Sequence, residues 1–106
     1  MTTFDDREQA FEAKFKHDEE LLFRIYARRA RLVGQWAAEH LGLEGEAADA
    51  YAREMVSEDL KEPGHKDILV RIEADFSAKG VDISAHRIEK EIEHTLEVAR
   101  QQIMSA

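Results

Sequence analysis

The sequence predicts an all-α protein: a small antiparallel four-helix bundle preceded by an N-terminal arm that is mobile when free and becomes helical when gripped. Three observations carry this. The composition favours helix, with 43% hydrophobic and 36% charged residues, one proline and five glycines. Apolar residues recur at spacings of three and four in four separate stretches. Turn chemistry ends each of the first three, and the intervening connections are short, which makes consecutive helices antiparallel. A chain of 106 residues suits a single domain, so one core must serve all four helices.

The first bundle helix carries Leu22, Ile25, Leu32, Val33, Trp36 and Leu41 on one face. It closes where Gly42 can take the left-handed position and Leu43 can fold back. The second opens at Glu44 or Gly45, with Glu46 and Asp49 near the positive end of its dipole and Ala48, Tyr51, Ala52, Met55 and Val56 facing inward. The segment KEPGHKD ends it. A third helix starts near Pro63 to His65 and carries Ile68, Leu69, Ile72 and Phe76, before Gly80 offers a second left-handed stop with Val81 placed to touch Phe76. In the fourth, Ser84 is the N-cap, Ile83 and Ile88 form a hydrophobic staple, and Ile92, Leu96, Ala99 and Ile103 continue the stripe.

The start of the first helix is the one ambiguous boundary. Phe4, Phe11 and Phe15 fall within about 40° of one helix face, and the same phase runs on into Leu22. Asp18 lands on that stripe, where burial would be costly. As an N-cap followed by Glu19 and Glu20, however, it would be favourable. The bundle therefore divides from the arm at Asp18: residues 1–17 form the arm and 18–106 the four-helix domain. Ordering the arm costs on the order of 1–2 kcal/mol per residue, whereas burying a phenylalanine returns about 1.5–3 kcal/mol. Three phenylalanines cannot hold the arm down unaided. The arm thus fits the helix-in-groove mode, in which a partner supplies the surface. The competing reading is that it simply extends the first helix and covers the bundle core.

The net charge of −8 argues against nucleic-acid binding, which needs clustered Lys and Arg. Without cysteine there is no disulfide scaffold, thiolate metal site or cysteine catalysis, and the chain is compatible with a reducing cytoplasm. No apolar run approaches the roughly 20 residues of a membrane span, and MTTFDDREQ lacks the features of a signal peptide.

Candidate chemistry is sparse. Arg24, Arg28 and Arg31 share a face, as a phosphate or nucleotide site would require, but Glu20 precedes Arg24 by four residues, and a solvated, paired face accounts for them. Arg29 points along the apolar stripe, where its stem can pack while its head reaches water or a carboxylate. Glu91 with His94, and Glu62 with His65, have the spacing of carboxylate-bridged metal bundles. His94 faces away from the apolar stripe, however, and Glu62 and His65 straddle a Pro-Gly turn, so no metal site is expected. His17, His40 and His86 read as surface or cap histidines. No P-loop, GxGxxG, GxSxG or HExxH pattern occurs. No catalytic residue or cofactor is therefore assigned, and nucleotide binding is left open because a pocket between helices needs no motif.

The runs MTTFDDREQAFEAKFKHDEELLF, ARRARLVGQWAAEHLG at 27–42, EPGHKDIL at 62–69 and DFSAKGVDI at 75–83 resemble the alphaproteobacterial ATP synthase ζ subunit, a family of small ATPase inhibitors. The likeness spans almost the whole chain. It implies a non-enzymatic four-helix bundle whose N-terminal helix enters a catalytic α/β interface of the rotary motor, beside the central γ subunit, and blocks rotation and ATP hydrolysis. Carried over, the inhibitory positions are Phe4, Arg7, Phe11, Lys14 and Phe15. The resemblance also implies a cytoplasmic protein held at the inner membrane only through the synthase. From another class, the alternative is a bundle that senses a nucleotide or small ligand, with the arm closing over its own core. A third option is a homo-oligomer zipped together by the arm.

Overall fold

The structure, a computed structural model, describes the chain apart from Met1, Thr2, Pro63 and Ala106, and describes side chains from Asp18 onward. Helix α1 spans Thr3–His40, α2 Gly45–Asp59, α3 Lys66–Lys79 and α4 Ala85–Ser105. The two left-handed stops fall where the sequence puts them. Gly42 has φ +76° and Gly80 φ +74°, and in each turn the following residue donates back across it, Leu43 N–H to Ala38 O at 2.9 Å and Val81 N–H to Phe76 O at 2.8 Å. Six-to-one bonds of this kind satisfy carbonyls that a helix end would otherwise orphan. At the start of α4 the Ser84 hydroxyl accepts the Arg87 N–H at 3.1 Å, the expected cap. Glu44 and His65, which precede α2 and α3, make no side-chain cap bond.

Helix α1 is the spine, with α2 and α4 packed along it and α3 bridging those two. Cross-helix contacts set the direction of each pair. Arg29 meets Asp59 while Gly34 meets Ala52, so α2 runs antiparallel to α1. Arg28 meets Gln102 while Trp36 meets Arg87, so α4 does too. Tyr51 meets Asp75 and Glu54 meets Arg71, which makes α3 antiparallel to α2. The core collects one apolar stripe from each helix: Val33, Ala37 and Ala38 from α1, Met55 from α2, Ile68, Ile72 and Phe76 from α3, and Ile88 and Ile92 from α4. Periodicity picked out these positions except Ala37 and Ala38, which periodicity did not mark. Among the described residues, no helix is long and apolar enough to cross a membrane.

Two features of α1 have clear physical causes. First, α1 is one continuous helix from Thr3, with no restart at Asp18. Asp18 would be costly within the helix only where the stripe is covered. In the structure Asp18 is exposed and Leu22 is 47% exposed, and the first fully buried α1 side chain among those described is Ile25. An aspartate in solvent costs nothing there, so the helix passes through it. Second, Gly34 is a close-packing position. A Cβ built on it would lie 2.8 Å from Ala52 Cα and 3.0 Å from the Met55 side chain. Only glycine lets the α1 and α2 backbones approach this closely.

Candidate interaction surface

The lower end of the bundle, where α1 enters it, carries most of the exposed large apolar side chains described: Leu22, Phe23, Tyr26, Leu60 and Met104, with Val70 standing apart on α3. They line shallow grooves around α1. Phe23, Tyr26 and Leu60 wall a groove of about 300 Å³ against the α2–α3 connection. Leu22 and Met104 share another with Ile25 and Arg100. Scattered exposed hydrophobics are ordinary on a small protein, but a cluster at one end marks an interaction surface.

At the floor of the first groove lies a buried ion pair. Arg29 Nη2 stands 3.7 Å from Asp59 Oδ1, with the two side chains only 6% and 5% exposed. Arg29 Nε and Asp59 Oδ1 have no hydrogen-bond partner, and the guanidinium stacks over the Tyr26 ring at 5.0 Å. Burial raises the Asp59 carboxyl above its ordinary value, against the pull of Arg29 and His65. The sequence placed Arg29 on the apolar stripe and allowed its head a carboxylate. It could not name Asp59, which is brought in by the second helix.

A third groove, of about 350 Å³, shares Phe23 with the first. Phe23, Ala27, Val56 from α2 and Ile103 from α4 line it together with Arg24, Arg28 and Arg31. Arg28 Nε donates to Gln102 Oε1 at 2.7 Å. None of the ion pairs among the described residues involves any of these three arginines. The face expected to be paired through Glu20 and Arg24 is instead a basic row without carboxylate partners among the described residues. Several carboxylates elsewhere are paired. Arg71 gathers Glu54, Glu58 and Asp75, Tyr51 donates to Asp75 at 2.7 Å, and both burial and Asp75 hold the Tyr51 hydroxyl well above the usual phenol range.

Glu91 pairs with Arg87 at 3.0 Å while His94 is exposed, and His65 meets Glu89 at 2.5 Å, a pairing that sequence spacing does not disclose. His40 lies in the last turn of α1, its ring packed edge-on to Trp36 at 4.9 Å. No group of three or more metal-binding side chains occurs among the described residues. The side chains of Phe4, Arg7, Phe11, Lys14, Phe15 and His17 lie outside the described residues.

Four packed helices with an apolar, partly basic surface around the emerging spine define a small helical interaction module. Residues 1–102 match the family model of the ATPase inhibitor subunit ζ. The chain belongs to that family of ATP synthase inhibitors. A solution NMR structure shares 36% sequence identity with it, superimposes with a TM-score of 0.69, and covers 78% of this chain and 94% of its own. No curated protein matches.

Proposed function

We propose that the protein inhibits ATP hydrolysis by inserting residues 1–17 into a catalytic α/β interface of the ATP synthase, next to the central γ subunit, where they obstruct rotation. Membership of the inhibitor family supports the target. The observation that carries the mechanism is the phased aromatic stripe of Phe4, Phe11 and Phe15 on the same helix that later becomes the spine of the bundle. A stripe with charged or small residues around it needs an apolar groove, and a cleft in the motor supplies one.

The action is steric. A helix seated in a cleft that opens and closes during rotation binds one conformation of the motor better than the others, and so holds it there. Arg7 and Lys14 flank the stripe and can meet carboxylates at the cleft rim. The bundle is far wider than one helix, so it stays outside and limits how deep the arm can go. The protein is thereby held at the cytoplasmic side of the inner membrane through the synthase alone.

The test is inhibition of ATP hydrolysis by the isolated catalytic sector. Phe11→Ala and Phe15→Ala should each raise the half-inhibitory concentration at least tenfold while the melting temperature moves little. Inhibition equal to that of the wild type, or a large fall in melting temperature, contradicts the assignment.

A further inference from the structure

We propose that the row Arg24, Arg28 and Arg31 is a second docking site, and that its occupant is an acidic helical segment of the same motor. The inference rests on the proposed inhibition of the synthase and adds a surface of the bundle to it. Three observations support it. Residues 21–38 hold four arginines and no acidic residue, in a chain whose net charge is −8. Of the four, Arg29 is used internally by Asp59, while the other three have no carboxylate among the described residues. Their groove is lined as well by apolar side chains from three helices, so it offers an anchor as well as charge.

The spacing selects the kind of partner. Positions 24, 28 and 31 are four and three residues apart, which spreads the guanidinium groups over roughly 10 Å of one helix face. A phosphate site brings its donors to one point, whereas a row of this length matches carboxylates repeated along a second helix with an apolar residue between them. The row is also continuous with the arm, being carried by the same helix. Docking there would hold the arm near its cleft and raise its effective concentration, and the charge would speed the encounter.

The test uses the full chain and the catalytic sector, following association directly at low and at high salt. Arg24→Glu/Arg28→Glu/Arg31→Glu should slow association at least tenfold at low salt, flatten the salt dependence and raise the half-inhibitory concentration. Arg24→Lys/Arg28→Lys/Arg31→Lys should retain most of the rate, and Arg24→Gln/Arg28→Gln/Arg31→Gln serves if the reversed charges impair folding. Association by the Glu and Gln variants at the wild-type rate and salt slope overturns the proposal. So does wild-type association that inorganic tripolyphosphate suppresses while a soluble acidic helical peptide does not, because the row is then a phosphate site. The arm is read separately: if Phe11→Ala/Phe15→Ala inhibits as the wild type does, the insertion mechanism fails, and the arginine row still stands or falls on the association rates.

Discussion

At the scale of single residues, close packing and buried charge decide the outcome. Gly34→Ala improves helix propensity by about 1 kcal/mol, yet its Cβ would meet the Ala52 backbone at 2.8 Å, and α2 cannot yield as a flexible side chain would. Overpacking costs on the order of 1–3 kcal/mol, so the net effect is a lower melting temperature, checked by thermal unfolding. A mere glycine in a helical run gave no hint of this, because the contact is made by another helix. Trp36 is partly buried, against Phe76 at 5.8 Å and the Arg87 guanidinium at 5.6 Å. Phe76 is sealed at 1% exposure. Phe76→Ala should therefore cost about 3–5 kcal/mol in a denaturant melt, the full price of a buried aromatic, and Trp36→Ala less.

The Arg29–Asp59 pair has a pH signature. Burial raises the folded-state pKa of Asp59 above the ordinary 3.8, so the folded state keeps a proton that the unfolded chain has released. Stability contributed by this group is full below 3.8 and declines as pH rises through the raised value. The wild type should accordingly lose stability relative to Asp59→Asn with rising pH in that window, and parallel curves would refute the assignment. Removing either partner alone leaves a buried charge unpaired, at a cost of about 3–5 kcal/mol, whereas Arg29→Met/Asp59→Leu should recover most of that loss.

At the scale of elements, local chemistry was enough wherever one helix decides for itself. Gly42, Gly80 and Ser84 mark real ends, and Ser84→Ala should cost about 0.5–2 kcal/mol in the unfolding midpoint. The N-cap role expected of Asp18 is not taken up, for a reason of geometry. Asp18 breaks the stripe only if the stripe is covered there, and which turns of α1 have neighbours depends on where α2 ends and α4 arrives. The same dependence hid the arginine row. Glu20 stands at the favoured spacing from Arg24, but the structure puts Val56 and Ile103 beside the arginines and no carboxylate within ion-pair distance among the described residues.

At the scale of the whole molecule, the core of the bundle among the described residues begins well beyond residue 17. It draws on all four helices at Val33 and beyond, and no residue before Ile25 among those described is fully buried. Stability and inhibition should then separate along the chain, with the bundle folding through residues 18–106 and the motor stalled through residues 1–17. Periodicity revealed most of the core and suggested the aromatic seam. Only likeness to a family supplied the motor, since nothing in a phenylalanine stripe specifies which cleft receives it.

The most direct measurement compares the full chain with residues 18–106 in two readouts, cooperative thermal unfolding and inhibition of ATP hydrolysis by the catalytic sector. The shortened chain should melt as a folded bundle and fail to inhibit at concentrations where the full chain stops hydrolysis. A shortened chain that inhibits as well as the full one, or that no longer unfolds cooperatively, would contradict the division of labour between arm and bundle.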